Sequence, residues 1–249
     1  MARRRFLIGL AGPSALVILW QLIYMVVNPT LLPSPGATMI KLIQLVVSGE
    51  VFPDILATFI RMSIAYTLAG AMGIALGLLI GTFRLAYDSF IGVIDFFRST
   101  PVTTLYPVFV LLFGIQHESK IAMTFWACFF VIVLNTAYGA LQAGRVRSDM
   151  ARLYGASHTQ VFVWVTFFDS LPQTMIGLRV ALSYALIVMI LTEMFMGSAA
   201  GLGQRVTEAY TTFELAELYA IVLITGTIGL FLNRIFVVAE ERIIPWVGQ

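Results

Sequence analysis

The sequence predicts an all-α, polytopic membrane protein with about six transmembrane helices, and three observations predict it. Of 249 residues, 59% are hydrophobic and 11% charged, and the mean hydropathy is +0.93. A soluble domain carries roughly 25% charged residues to face water, so lipid has to cover most of this surface. Apolar runs long enough to cross the hydrocarbon core, which takes about 20 residues, recur along the chain. Arginines cluster in some of the connecting segments and are sparse in others. The length fits one membrane domain, 1–249, with short loops and little room for a soluble domain.

The first apolar run, Phe6 to Val27, follows Arg3-Arg4-Arg5. A signal peptide has a shorter apolar stretch and a small-residue cleavage site, so this run is read as a retained first helix. The second span is expected from about Ile55 to Phe83. The third lies between Phe90 and Phe113 and is interrupted by Arg98-Ser99-Thr100-Pro101. The fourth runs from Ile121 to Leu141 without a charge, the fifth from about Met175 to Met196, and the sixth from about Leu218 to Val238. Gly73, Gly77 and Gly81 share one face of the second span, with Gly70 just before. Glycines at that spacing let another backbone approach closely, either within one subunit or between two.

Orientation follows from the basic residues, which cytoplasmic loops retain in excess. With the N-terminus inside, Arg3, Arg4, Arg5, Arg84, Arg145, Arg147, Arg152 and Arg242 all fall on the cytoplasmic side. The external segments then hold Lys41, Lys120 and Arg205 with Glu50, Asp54, Glu118, Glu208, Glu214 and Glu217. Six spans place the C-terminus inside as well.

Several function classes are excluded. The formal net charge of +2 points to no nucleic-acid partner. Cys128 is the single cysteine, which rules out an intramolecular disulfide and a thiolate metal site. His117 and His158 match no metal-ligand spacing and read as ordinary loop or interface residues. No Gly-x-x-x-x-Gly-Lys-Ser/Thr loop occurs, so ATP hydrolysis of the usual kind is not expected on this chain.

The segment from Gly144 to Pro172 is too long for an ordinary helix connection and carries helix punctuation throughout. Ser148 is expected to cap a short helix, Asp149 to Tyr154, with Asp149 at the positive end of its dipole. Gly155 suits the left-handed residue that ends it. Ser157-His158-Thr159-Gln160 is a capping-box pattern opening a second helix, Val161 to Phe168, too short to cross. Asp169 or Ser170 is then expected to cap the next helix, with Pro172 in its first turn. The result is a compact cytoplasmic knob between the fourth and fifth spans.

Asp149-Met150-Ala151, then Gly155, then Leu171-Pro172 resembles the EAA loop of ABC importer permeases. The chain keeps Ala151, Gly155 and Leu171-Pro172. It departs at Asp149 for Glu, at Met150 for Ala, and at Phe167-Phe168, where the family often has an earlier Leu-Pro. Leu31-Leu32-Pro33-Ser34-Pro35, Phe113 to Lys120, and Glu193 through Gly201-Leu202-Gly203 are similar to the nitrate/sulfonate/taurine/bicarbonate branch, and the resemblance covers nearly the whole chain. After Arg98 the chain reads Ser99-Thr100-Pro101-Val102-Thr103-Thr104, where relatives usually have a more proline-rich apolar run.

The resemblance implies a type I importer-like permease in a bacterial inner membrane. It implies a second permease copy as homodimer partner, two ATPase subunits that hold the ATP and Mg, and an external solute-binding protein. It also implies that Asp149, Met150, Ala151, Arg152, Leu153, Tyr154, Gly155, Ala156 and Ser157 form the ATPase-coupling region, and that Leu171-Pro172 return the chain into the membrane. The branch implies a small anion as solute; a vitamin or aromatic precursor is the alternative.

Ionisable groups inside spans have to snorkel, pair or line water. Arg61, Arg179 and Arg234 lie near helix ends and read as snorkelling. Asp95 and Arg98 are three apart and share a helix face. Arg98, Ser99, Thr100, Pro101, Thr103 and Thr104 are read as candidate pathway residues, because broken helices at membrane depth line cavities or are buried in protein. Glu193, near the external end of the fifth span, is read either as a gate or binding-protein contact or as a buried, hydrogen-bonded carboxylate. An ion-gradient transporter would favour inverted repeats, which the sequence lacks. A membrane enzyme would need clustered ligands or a nucleophile beside a base, also lacking.

Overall fold

The computed structural model describes residues 2–26 and 31–246, and the side chains of 11–26, 31–144 and 146–246. The side chains of Arg3, Arg4, Arg5 and Arg145, and the expected end of the first run at Val27, lie outside the described residues. Every element in the described part is helical: α1 (Ala2–Val26), α2 (Pro35–Ser48), α3 (Phe52–Thr82), α4 (Arg84–Ser99), a 3-10 turn and α5 (Tyr106–Phe113), α6 (His117–Gln142), α7 (Arg145–Leu153), α8 (His158–Val161), α9 (Phe167–Met196), α10 (Leu202–Thr211) and α11 (Leu215–Ile243).

Four helical stretches are long and apolar enough to cross a membrane: α3, α6, the continuous run His158–Met196, and α11. The pair α4 and Val102–Phe113 qualifies as a fifth, broken by a bend of 83°. In α1 the described apolar part, Ala11–Val26, is shorter than a crossing stretch, so among the described residues four or five of the six expected spans qualify by length and composition. The fifth span is longer than expected. Pro172 lies inside α9 rather than in a first turn, and a π turn, Phe162–Thr166, joins α8 to α9. No cap forms at Asp169 or Ser170 because no helix starts there: the helical run is continuous from His158 to Met196.

The packing centre is α3 against α6 and α9. Met62, Ala69, Cys128, Ile132, Ala181, Ala185 and Met189 form its apolar core. The glycine face of α3 belongs to this contact. A Cβ on Gly73 would lie 2.9 Å from Ile132 Cγ2, and one on Gly77 2.7 Å from Thr136 Cβ. Gly177 of α9 is packed just as closely on Asn135 of α6, at 2.6 Å. Of the two readings of the glycine stripe, close packing within one subunit is the one observed.

The helices give the body two ends. At one, the C-terminal ends of α3 and α6 and the start of the His158–Met196 run surround α7, and Phe168 meets Trp246, 6.2 Å between ring centroids. At the other, the starts of α3, α6 and α11 and the end of α9 meet α2 and α10. Two helices here were not anticipated from sequence. Ser34 caps α2 by accepting from the Ala37 N–H at 3.1 Å, with Pro35 at its first position and Gly49 in the left-handed region at its end. Leu45, Val51, Leu202, Ala209, Ala220 and Ile221 bury the apolar faces of α2, α10 and α11 together. Through Trp20, α1 touches this end, donating to the Pro33 carbonyl at 3.2 Å and stacking on Tyr219.

Candidate functional site

Three places collect the residues singled out in the sequence. The first is the α7 end. The short helix starts at Arg145, four residues before the expected start, with Gly144 as its N-cap residue. Ser148 is inside it and caps nothing. The capping group comes from a distant residue: Asp169 Oδ2 accepts the Gly144 N–H at 2.9 Å, while Asp169 Oδ1 pairs with Arg147 Nη2 at 2.9 Å. An anionic oxygen on a first-turn N–H satisfies an orphan donor and suits the helix dipole.

Gly155 ends the helix as expected, at φ 88°, and the Ala156 N–H closes the turn on the Ala151 carbonyl at 3.0 Å. A Cβ there would meet open space, so the backbone angle, not crowding, favours glycine. The Ser157–Gln160 capping box is present with both bonds, 2.8 and 3.3 Å. Asp149, Met150, Arg152, Leu153, Tyr154, Gly155 and Ser157 are exposed, with Tyr154 at 92%, whereas Ala151 and Ala156 are half-buried.

Beneath α7 lies a cavity of about 900 Å³, with Ser148, Asp149, Arg152 and His158 on one side and Leu78, Leu79, Phe83 and Phe162 on the other. The helix is therefore anchored at its start and stands off from the body along its length. Leu171 and Pro172 are half-buried within α9, two and three residues beyond the anchoring Asp169.

The second place is the break between α4 and α5. Thr100 is extended, as a residue before proline tends to be, and Pro101 starts the bend. Hydroxyls reinforce the backbone on either side of the break: Thr100 Oγ1 donates to the Phe96 carbonyl at 2.9 Å and Thr104 Oγ1 to the Pro101 carbonyl at 2.7 Å, beside the N–H of the same residue in each case. Arg98 pairs with Asp95 at 3.1 Å, each about half exposed. Arg98, Ser99, Thr100 and Pro101 line one cavity of about 360 Å³ together with Phe97, Trp126, Phe130, Asn135 and Tyr184. Thr103 and Thr104 are not part of that lining.

The third place is buried at the opposite end. Arg61 does not snorkel; it turns inward. Its Nη1 pairs with Glu193 Oε1 at 2.6 Å and also donates to the Ala200 carbonyl at 2.9 Å, while Nε donates to His117 Nδ1 at 2.8 Å. Glu193 is wholly buried and takes two further bonds, from Thr58 Oγ1 at 2.8 Å and the Gly203 N–H at 3.1 Å. The reason Arg61 abandons the headgroups is this carboxylate: an unpaired buried charge costs several kcal/mol. Burial also removes Glu193 from direct contact with any external protein in this conformation.

Gly201 and Gly203 fold over the carboxylate so closely that a Cβ on Gly201 would lie 2.6 Å from it. Asp54 holds the same turn by accepting the Gly201 N–H at 2.8 Å and pairs with Arg205 at 3.0 Å. Lys120 is buried here too, its ammonium donating to the Ile115 and Gln116 carbonyls at 3.1 and 3.3 Å. Sequence reasoning missed Thr58, Arg61, His117 and Lys120 as one cluster. The available signal was a basic residue in α3 and an acidic one in α9 at matching depth. On the rim, the Glu217 carboxylate bonds Lys41 at 2.9 Å and holds that ammonium above its ordinary pKa.

Known proteins share this architecture. A chain of the MetNI methionine ABC transporter, in inward-facing conformations, superposes with a TM-score of 0.65 over 79% of this chain and 95% of that one, at 17% identity. The putative aliphatic sulfonates transport permease protein SsuC of Bacillus subtilis is 25% identical, covering 96% of this chain and 87% of its own. The formylaminopyrimidine transport permease protein ThiX of Halalkalibacterium halodurans is 29% identical, covering 93% and 92%. Residues 73–249 match the model of the binding-protein-dependent transport system inner membrane component, and the chain belongs to that family of ABC importer permeases.

Proposed function

We propose that this permease forms, with a second copy of itself, the passage for a small organic anion such as a sulfonate, which an external binding protein delivers. A separate pair of ATPase subunits holds ATP and Mg and grips the exposed surface from Asp149 to Ser157. Arg84, Arg147, Arg152 and Arg242 lie toward the α7 end, and the bias of basic residues to the cytoplasm puts that end inside. Both termini are then cytoplasmic, in a bacterial inner membrane.

The observation that carries this reading is the bond from Asp169 to the start of α7. A helix whose outer face is free, but whose first turn is tied to the fifth span, transmits displacement from a docked motor to that span. ATP closing the ATPase pair moves α7; α9 follows and turns the passage outward; hydrolysis resets it. Such a shift requires that the nucleotide-bound motor bind the two permease conformations unequally.

A second solute class is favoured by one feature. The cavity at the α4–α5 break is walled by Phe97, Trp126, Phe130 and Tyr184 beside Arg98 and Asn135. A flat heterocycle, as the ThiX relative's name describes, fits such rings as well as a sulfonate fits the guanidinium.

Gly155→Asp tests the docking reading. Aspartate carries a Cβ at φ 88° and adds charge to the gripped surface. The expected result is loss of ATPase co-purification, or hydrolysis uncoupled from uptake; full uptake by the variant removes the docking argument.

A further inference from the structure

The end opposite α7 sorts its charges by sign. Among the described residues there, the cations are drawn inward. Arg61 and Lys120 are buried; Arg205 is surrounded by Glu50, Asp54 and Glu217; Lys41 is held by Glu214 and Glu217. The exposed ionised groups that remain are all carboxylates: Glu50, Glu118, Glu208 and Glu214. Glu50 and Glu214 are the outer partners of Arg205 and Lys41, which sets their sign. Glu118 and Glu208 form no ion pair among the described residues, and packing does not fix their sign.

Two aromatic rings project from the same surface, Tyr210 at 65% and Phe213 at 77% exposure. Phe213 occupies the turn between α10 and α11 at φ 59°, the only non-glycine residue with positive φ among those described. The turn is a helix-ending motif in which the Glu214 N–H reaches back to the Ala209 carbonyl at 2.9 Å. Glycine usually fills that left-handed position. A bulky residue there is strained, and such strain is retained mostly where a function uses it. The backbone bonds hold the ring out rigidly, which lowers the ordering cost of binding.

We infer that this surface docks a solute-binding protein whose contact face is a basic rim around an apolar recess, with Phe213 as the anchor and Glu50, Glu208 and Glu214 as its charged border. The inference rests on the functional reading above, in which this end faces outward. Aromatic anchors ringed by polar groups dominate protein interfaces, and opposed charge patches steer association. Headgroup anchoring is the other use of exposed aromatics in membrane proteins, but a carboxylate border repels anionic lipid.

The experiment uses the complete transporter, permease with its ATPase, in nanodiscs, and the probe is the solute-loaded binding protein that supports uptake. The readout is the binding-protein concentration giving half-maximal stimulation of hydrolysis. Phe213→Gly removes the ring and the strain together. It is expected to raise that concentration about tenfold, with no loss of thermal stability and unchanged hydrolysis in the absence of binding protein. Glu208→Gln with Glu214→Gln is expected to raise it several-fold and to flatten its dependence on NaCl.

Wild-type half-saturation in Phe213→Gly, or an unaltered salt dependence in the double variant, overturns the inference while the functional reading stands. A drop in melting temperature confined to phosphatidylglycerol nanodiscs, with docking unchanged, makes the ring a membrane anchor and also overturns it. Wild-type uptake that needs no binding protein overturns both readings at once.

Discussion

Asp169 caps a helix whose N-cap residue lies 25 residues before it: its carboxylate accepts the Gly144 N–H at 2.9 Å and pairs with Arg147 at 2.9 Å. The two contacts differ in weight. Arg147 is 69% exposed, and exposed pairs contribute about 0–1 kcal/mol. A cap on an orphan helix N–H contributes about 1 kcal/mol. Asp169→Ala is therefore expected to loosen α7 without unfolding the body. Amide hydrogen exchange across 145–153 should quicken several-fold, and more ATP should be consumed per solute carried. Asp169→Asn keeps an acceptor for Gly144 and should fall between. An unchanged coupling ratio in Asp169→Ala would show that α7 transmits its motion by another route.

Much of this fold was legible from composition alone, because apolar length is a local signal. The six apolar segments, the break at Pro101 and the left-handed Gly155 could all be read from neighbouring residues. The Ser157–Gln160 box is local too. What could not be read was set by distant partners. Gly144 has no side chain to announce a cap, and its cap arrives from another span. Arg61 sits at a depth equally suited to snorkelling, and its carboxylate is 132 residues away. The helices α2 and α10 escaped notice because each is short and buries its apolar face against distant elements, α2 against α11 and α10 against α9 and α11.

The Arg61–Glu193 pair joins the second and fifth spans where the Gly201–Gly203 turn closes over it. Breaking a buried pair by removing one partner costs about 3–5 kcal/mol, since the survivor keeps its desolvation cost. Glu193→Ala should accordingly lower the melting temperature of the purified permease sharply. Arg61→Met combined with Glu193→Leu should restore part of the loss, because no charge is left stranded. A double variant as unstable as the sum of the singles would mean that the Gly203 and Thr58 bonds to Glu193, not the ion pair, hold this end together.

Arg98 presents a different balance. Its pair with Asp95 is half exposed, so the guanidinium contributes little to stability, and it lines the aromatic cavity. Arg98→Ala should leave assembly with the ATPase and the melting temperature nearly unchanged, within about 0.5 kcal/mol, while uptake falls. Arg98→Lys keeps the charge but loses the planar fork suited to sulfonate or carboxylate oxygens, and should recover only part of the rate. Full uptake by Arg98→Ala would take the cavity out of the pathway.

The glycine face of α3 separates crowding from conformation. Gly77 is within a helix and has no positive φ, yet a Cβ there would approach Thr136 Cβ at 2.7 Å and the Val133 carbonyl oxygen at 2.8 Å. Neither neighbour is the far end of a flexible chain, so Gly77→Ala forces α3 and α6 apart and is expected to cost about 1–3 kcal/mol. Gly70→Ala meets only Leu178 Cδ2, at 3.6 Å, in ordinary contact, and the gain in helix propensity over glycine, about 1 kcal/mol, should make that variant neutral or more stable. Thermal unfolding of the two purified variants measures the difference directly. If both behave alike, the close approach of α3 to α6 is softer than the distances imply, and crowding is not what selects glycine at position 77.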